Sequence, residues 1–272
     1  MRTVSAIKNI NSTLIVYGLN MVLQFIIRFV LLYYLSIEYL GLNGLFDNIL
    51  TVLSLTELGI GPAIIFSLYS PLANHDLETA KSIMRIFKKA YIYIGTLILF
   101  LGLCISPFVQ YLIKVPPNIA YLNIFFLLFV VDTGISYFYS YKKCLLIADQ
   151  KQYIANYYRG ITQLIGSLFQ IALVILTHSF WVYIILRICM TFSENFLIAR
   201  KGDDLYSFLN EKNIKPLNKD IYQNIIRNIK ALILHKIGGV TVFGTSNIIL
   251  SKFVGLSAVA LYTNYYLIIN GI

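Results

Sequence analysis

Runs of about 18 or more mostly apolar residues recur along the whole chain, and they limit what it can fold into. A helix of this length crosses about 30 Å of hydrocarbon and satisfies its own backbone hydrogen bonds in lipid. Only 12% of the residues are charged, whereas a soluble domain carries about 25%. We therefore expect an all-α, polytopic membrane protein without a sizeable soluble domain.

Hydropathy predicts seven complete spans and the start of an eighth. A basic segment precedes the first run, but no small-x-small site follows it, so we interpret it as a retained span. The eighth run is shorter than the ~20 residues that a crossing needs, so we expect a fragment of a larger protein or a truncated gene product. The predicted spans are Ser12–Tyr34, Leu42–Phe66, Ala90–Ile113, Asn118–Phe138, Ile154–Thr177, Phe180–Ala199 and Ala231–Leu250, with the eighth beginning near Ser257.

The cations are concentrated in alternate connections. They precede span one and follow spans two, four and six, whereas the other connections hold only Lys114 and Lys252. By the positive-inside rule, the N-terminus is expected in the cytoplasm. The net charge of +10 is then explained by anionic lipid on the cytoplasmic face, so no nucleic-acid partner is expected.

The connection after span six is amphipathic. In Lys219–Lys230 the apolar residues fall on one helical face and the cations on another, which favours a helix lying in the membrane interface over a simple linker. We predict three parts of the chain: a six-helix N-terminal transmembrane lobe at 1–200, a cytoplasmic amphipathic linker at 201–230, and the start of a second transmembrane lobe at 231–272.

Seven ionisable residues fall well inside the first six spans, and each costs about 2.5–3.5 kcal/mol at a helix centre. Such residues tend to face a wet cavity or a partner. The number of residues between each of them and the predicted span ends gives its depth. By this depth, three lie in an outer layer, nearer the outer membrane face, and four lie in an inner layer, nearer the cytoplasmic face. The outer residues are Arg28, Asp47 and Arg187, and the inner residues are Glu57, Asp132, Arg159 and Glu194.

The arginines have two interpretations. Arg28 either pairs with Asp47 at matching depth or, with Arg187, presents its guanidinium to an anion in a cavity, and the two roles can coexist. Arginine suits the second role because its planar fork binds phosphate bidentately and stays charged when desolvated. Arg159 either belongs to the same cavity or extends to the interface. The candidate cavity or coupling carboxylates are Asp47, Glu57, Asp132 and Glu194; for Glu57 and Asp132, helix pairing is the alternative.

No motif for catalysis, a cofactor or a metal is found. Cys104, Cys144 and Cys189 are far apart, without a CxxC pair, and no P-loop pattern is present. Gly59, Gly61 and Pro62 weaken the end of span two, which indicates either close helix packing or a hinge. Because motifs for catalysis, cofactors and metals are not found in the sequence, we expect a protein that is not an enzyme.

A loose internal repeat links the two ends of the chain. "YYLSIEYLGLNGLFDNIL" (Tyr33–Leu50) aligns with "KFVGLSAVALYTNYYLII" (Lys252–Ile269) at a shift of 219 residues. Each segment ends one span and begins the next after a short turn. Internal repeats are common in transporters, whose substrate sites lie at the repeat interface.

Three further stretches carry a family resemblance: "RFVLLYYLSIEYLGLNGLF", "ELGIGPAIIFSLYSPLANHD" and "SYKKCLLIADQKQYI". With them, the chain resembles a Wzx-type polysaccharide-unit flippase of the multidrug/oligosaccharidyl-lipid/polysaccharide (MOP) exporter superfamily. The resemblance implies two six-helix lobes around a cavity that opens alternately to each side of the bacterial cytoplasmic membrane. It also implies an undecaprenyl-diphosphate-linked oligosaccharide as substrate, with Arg28 the strongest candidate for the diphosphate and Arg159 and Arg187 weaker ones.

The resemblance also implies that most of a second lobe, needed for transport, is missing from this chain. An ion gradient (H⁺ or Na⁺) or the membrane potential would drive transport. One alternative is a MATE-like drug/cation antiporter of the same superfamily, which the arginines in spans one and six disfavour. A membrane-embedded polysaccharide polymerase or glycosyltransferase is the other, and it is disfavoured because the outer loops are short and the inner loops lack clustered carboxylates.

Overall fold

The structure, a computed structural model, describes residues 2–57, 59–115, 119–211 and 214–269. Within these residues there are helices but no strands, so the all-α expectation is confirmed there. Three short 3₁₀ segments occur at Ser54–Glu57, Ser106–Leu112 and Ser207–Asn210. The α-helices are α1 Arg2–Tyr34, α2 Ile37–Leu53, α3 Ile60–Ala73, α4 Leu77–Ile105, α5 Leu122–Ala148, α6 Gln152–Thr177, α7 Phe180–Leu205, α8 Lys219–Phe243, α9 Ser246–Phe253 and α10 Leu256–Ile269.

The described helices have the length and composition of a multi-pass membrane protein. Six candidate spans are long and apolar enough to cross a bilayer, and a seventh results if the bent pair of α2 and α3 is counted as one span. Large apolar side chains such as Phe25, Phe29, Phe100 and Phe169 are more than half exposed. In water this exposure would be costly, whereas in lipid these faces are solvated by acyl chains.

Two apolar clusters hold the helices together at opposite ends of the bundle. One is centred on Phe46 of α2, whose ring lies 5.4 Å from that of Phe126 and 5.2 Å from that of Phe129 on α5. The other joins α3, α4 and α5 through buried residues such as Phe87 and Leu145.

The second predicted span is broken where glycine and proline were noted. α2 ends at Leu53, a 3₁₀ turn follows, and α3 leaves at an angle of 46°. Gly59 precedes α3 with φ of +74°, which is left-handed backbone that favours glycine. Pro62 falls in the first turn of α3, where its missing N–H costs nothing. A Cβ on Gly59 would lie 2.8 Å from Cβ of Leu232 on α8, so this site combines close packing with a bend.

Gly59→Ala is expected to lower the free energy of unfolding by about 2 kcal/mol, because a Cβ there is strained and overlaps Leu232. The measurement is thermal unfolding in detergent, followed by the emission of Trp181. Gly18→Ala is the matched control, since a Cβ on Gly18 meets nothing within 4 Å. Equal midpoints for the two variants would contradict this account of the bend.

The predicted boundaries between lobe, linker and second lobe differ from the observed elements. α7 continues to Leu205, and α8 runs without a break from Lys219 to Phe243. α8 therefore joins the amphipathic segment to the first part of span seven, because neither glycine nor proline separates them, and the end of span seven lies in α9. Ile225 is buried and packs in the cluster of α3, α4 and α5. The predicted interfacial segment at Lys219–Lys230 is thus the first part of a longer helix, and its place in the membrane interface stays a prediction.

The internal repeat matches at the level of helix ends. Tyr34 and Phe253 each end a helix, Ile37 and Leu256 each begin one, and each pair is separated by the 219 residues of the repeat. The repeated helices α2 and α10 also pack against each other. A Cβ on Gly44 would lie 2.8 Å from Thr263, the residue that the repeat aligns with it. Equivalent positions therefore meet where the two repeats touch.

Candidate functional site: a polar cavity between α1, α2, α5, α6 and α7

Arg187, two turns into α7, is the centre of an ion-pair network. Its Nη2 donates to Oδ1 of Asp47 on α2 at 2.8 Å, and its Nε donates to Oδ2 of Asp132 on α5 at 2.9 Å. Its Nη1 donates to Oδ1 of Asn43 at 3.1 Å. The guanidinium also lies 4.3 Å from the ring centre of Phe129. One side chain thus connects three helices with charge-assisted hydrogen bonds.

Asp132 is the more deeply buried carboxylate of this network, with 5% of the residue exposed. Its Oδ1 is buried and accepts no hydrogen bond from the described part of the chain. Arg187 faces two carboxylates, so the network carries one excess negative charge. An acceptor without a donor at low dielectric is costly. Oδ1 of Asp132 is therefore the least satisfied acceptor of this network.

Arg28 of α1 lies beside this network but outside it. Its Nη1 donates to Oδ1 of Asn264 on α10 at 3.1 Å. It forms no ion pair with any carboxylate that the structure describes, so the alternative in which Arg28 pairs with Asp47 is not observed, and Asp47 pairs with Arg187 instead. A guanidinium carries five N–H donors. Most donors of Arg28 are thus left without a protein acceptor among the described residues.

The two arginines and two aspartates line one cavity of about 290 Å³. The guanidinium of Arg28 supplies the positive charge that the Arg187 network leaves uncompensated, so the four ionised groups sum to zero. Uncharged hydrogen-bonding groups cover much of the remaining wall. They are Asn20, Gln24, Asn43, Gln163, Ser167, Gln170, Tyr183 and Thr191.

A second cavity, of about 230 Å³, continues the first along α1 toward its N-terminal half. Asn20 and Gln24 line both cavities, and Arg159 of α6 lines the second. Arg159 is exposed and makes no ion pair within the described ranges. From Thr13 to Arg28, the polar face of α1 extends about 22 Å at 1.5 Å per residue. This polar path covers most of the thickness of a hydrocarbon core.

Two of the predicted cavity carboxylates lie elsewhere. Glu57 accepts hydrogen bonds from the hydroxyls of Tyr91 at 3.1 Å and Tyr137 at 3.4 Å, and it pairs with Lys236 of α8 at 3.6 Å. Its contacts are those of helix pairing. Glu194 lies 3.7 Å from Nζ of Lys143 and accepts from Gln163 at 3.5 Å. Neither glutamate lines the cavities that contain Arg28 and Arg159.

The predicted separation into layers fails at Asp132. This residue was assigned to the inner layer, yet it shares Arg187 with Asp47 from the outer layer. The reason is the length of α5, which continues to Ala148, whereas the predicted span stops at Phe138. The serine, tyrosine and lysine residues beyond Phe138 lower the hydropathy without ending the helix. Asp132 consequently lies near the middle of α5.

The sequence interpretation included only charged residues, so it did not predict the uncharged polar residues that line the cavity. A signal was present, since Asn20 and Gln24 precede Arg28 by eight and four residues on one helical face. On α6, Gln163, Ser167 and Gln170 follow Arg159 at similar spacing. Polar residues at intervals of three and four within an apolar span mark a face turned away from lipid.

No protein-family model, curated protein or solved structure matches this chain. Among the described residues, no group of three or more His, Cys, Asp or Glu side chains is placed to hold a metal ion. The functional assignment accordingly depends on the cavity and on the resemblance noted in the sequence.

Proposed function

We propose that this protein is part of a MOP-type flippase that moves an undecaprenyl-diphosphate-linked oligosaccharide across the bacterial cytoplasmic membrane by alternating access. The isoprenoid tail would stay in the bilayer while the diphosphate and the sugars cross through the polar cavity. Undecaprenyl diphosphate carries negative charge at the junction between tail and sugars. A binding site for it therefore needs cations inside the membrane that no carboxylate has neutralised.

The observation that carries this proposal is the environment of Arg28. Its guanidinium lines a cavity, is hydrogen-bonded to the neutral Asn264, and makes no ion pair in the described part of the chain. Keeping an unpaired arginine inside a span costs about 2.5–3.5 kcal/mol on insertion scales. Ionisable residues that remain inside spans at this cost are by default candidates for a functional site. The planar guanidinium fork of arginine suits the binding of a diphosphate.

The polar path along α1 supports a route for the headgroup. Arg159 and Arg28 stand near its two ends, with the amides of Asn20 and Gln24 between them. A diphosphate that leaves one guanidinium can remain hydrogen-bonded to neutral amides before it reaches the other. The sugars, which are rich in hydroxyl groups, can exchange water for the same side chains. Lipid-facing walls of α1 would at the same time accommodate the tail.

The size of the cavity supports alternating access. Small-molecule sites occupy about 300–1,000 Å³, and the cavity at Arg28 is about 290 Å³. It has room for a headgroup but not for a headgroup with several sugars. Transport of the whole substrate therefore requires the helices to separate. The hydrogen bond between Arg28 of α1 and Asn264 of α10 crosses between the two repeats and would open in that step.

The contact between α2 and α10 supports the two-lobe arrangement. Equivalent positions of the repeat, such as Gly44 and Thr263, face each other across it. In transporters built from internal repeats, the substrate site lies at the interface between them. The Arg28–Asn264 hydrogen bond lies at the same interface.

The Arg187 network argues against the antiporter alternative. A drug/cation antiporter needs cavity carboxylates that are free to hold a cation. Asp47 and Asp132 instead both pair with Arg187. Arg28 is the cation of this cavity that makes no ion pair among the described residues.

The proposal is tested by ligand stabilisation of the purified full chain. Farnesyl diphosphate, a short isoprenoid diphosphate, should raise the unfolding midpoint because it binds only the folded state. Farnesol, which lacks the diphosphate, should raise it much less. A cationic dye such as ethidium serves as the antiporter probe. Stabilisation by ethidium but not by farnesyl diphosphate would reject the flippase in favour of the antiporter.

A further inference from the structure

A strongly basic cavity lies at the other side of the bundle, away from Arg28. Its volume is about 500 Å³. It is formed by the N-terminal part of α4 and by the connection between α7 and α8, and the proposed flippase function makes no use of it. The basic residues that line it are Lys81, Arg85, Lys88 and Lys89, and its apolar wall contains Met84, Ile92, Tyr141, Leu209 and Ile214.

Only one of the four cations is neutralised. Lys81 is 4% exposed, and its Nζ contacts both Glu78 at 2.7 Å and Glu211. Arg85, Lys88 and Lys89 are exposed, and none of them forms an ion pair with a carboxylate that the structure describes. Four cations thus line the cavity against one carboxylate, that of Glu211. This excess charge favours a ligand with more than one negative charge or a cluster of phosphate oxygens.

The cavity is built by contacts that fix the connection onto α4. Lys81 holds Glu211, and the hydroxyl of Ser82 donates to the carbonyl of Lys215 at 2.8 Å. Leu209 packs against the apolar cluster that contains Phe87. The basic face of α4 is therefore one wall of a cavity and not simply a solvated surface.

The position of the cavity along α4 matches the level of lipid headgroups. α4 and its 3₁₀ extension form a candidate span of 36 residues, Leu77–Leu112, whereas a crossing needs about 20. The three unpaired cations directly precede the apolar stretch that begins at Ala90. The charges consequently lie at the membrane surface, and Ile92 continues the wall toward the acyl chains.

We infer that this cavity binds the phosphate headgroup of an anionic phospholipid, with the cations of α4 on the phosphate and the apolar wall along the upper acyl chains. Free inorganic phosphate or diphosphate has the same charge chemistry, but it would leave the apolar half of the cavity unused. The bound lipid would join α4 to the connection that leads into α8. This inference does not depend on the flippase proposal.

The test compares two triple variants of the full chain in nanodiscs. Arg85→Gln/Lys88→Gln/Lys89→Gln removes the cations of the cavity. The control, Lys219→Gln/Arg227→Gln/Lys230→Gln, removes one arginine and two lysines that are exposed on α8 and line none of the cavities described above. Binding of cardiolipin is titrated by native mass spectrometry, against phosphatidylcholine as the neutral lipid.

The α4 variant should bind cardiolipin about tenfold or more weakly than the parent, because each surface cation contributes to the attraction of an anionic headgroup. The control variant should bind within about twofold of the parent, since its cations do not line the cavity. Equal affinities of the α4 variant and the parent would overturn the inference. Binding of inorganic diphosphate is measured in phosphatidylcholine nanodiscs for comparison. If the parent binds diphosphate as tightly as cardiolipin and the α4 variant does not bind it, the cavity is a site for a soluble anion and the inference is overturned.

Discussion

Replacing Arg187 with methionine is expected to lower the free energy of unfolding by about 3 kcal/mol, since removing one partner of a buried ion pair leaves uncompensated charge. This loss is at the low end of the usual range for breaking a buried ion pair, because 41% of the Asp47 side chain is exposed to solvent. The Asp132 side chain, which is only 7% exposed, accounts for most of the expected loss. Thermal unfolding in detergent provides the measurement. The single tryptophan, Trp181, serves as the probe because its ring lies 4.7 Å from that of Phe125.

The matched control restores charge balance in the variant. Arg187→Met combined with Asp47→Asn and Asp132→Asn removes all three charges and keeps similar volumes. We expect this triple variant to recover a large part of the lost stability, because neutral replacement of a whole ion network is often tolerated. Arg187→Lys should recover little, since one ammonium cannot reproduce the fork that reaches Asp47, Asp132 and Asn43. If Arg187→Met unfolds at the midpoint of the parent, Arg187 does not hold these helices together.

This expectation differs from the sequence interpretation, in which Arg28 and Arg187 had the same anion-binding role. The structure separates them by their partners. Arg187 has two carboxylates, an amide and an aromatic ring, so most of its hydrogen-bonding capacity is used within the protein. Arg28 has one neutral amide. The first therefore has mainly a stabilising role, and the second is the candidate for the ligand.

The membrane spans could be predicted because hydropathy reports the environment of a whole helix. Eight segments were expected, and the bent pair of α2 and α3, the other candidate spans and the shorter α10 correspond to them. Helix ends could not be predicted in the same way, because a helix in lipid can continue through polar residues into the headgroup region. α5 and α8 both extend past the predicted limits for this reason.

The composition of the site was predictable only in part. Charge inside a span has a high energetic cost, so Arg28, Asp47, Asp132 and Arg187 stood out. Which carboxylate pairs with which arginine depends on how α2, α5 and α7 rotate and pack, and hydropathy carries no information on rotation. The hydrogen bond between Arg28 and Asn264 could not be predicted either, because the two residues lie 236 positions apart in the sequence. Only the packing of α10 on α2 brings the two together.

Arg28→Ala is expected to weaken binding of farnesyl diphosphate about a hundredfold while leaving the fold intact. Hydrogen bonds to a charged group contribute about 1.5–3 kcal/mol, and a bidentate guanidinium contact loses at least one such bond on truncation. Stability should change by about 1 kcal/mol or less, because the lost protein contact is one hydrogen bond to Asn264. Affinity is measured by isothermal titration calorimetry in detergent, and stability by the emission of Trp181.

The controls separate charge, geometry and general damage. Arg28→Lys keeps the charge but not the planar fork, so its affinity should fall between those of the parent and the alanine variant. Arg227→Ala removes an exposed arginine of α8 that lies outside the cavity, so it should bind as the parent does. A lysine variant that binds as tightly as the parent would reject bidentate recognition and leave only charge. An alanine variant with parental affinity would reject Arg28 as the diphosphate site, because no other arginine in this cavity is free of carboxylate partners among the described residues.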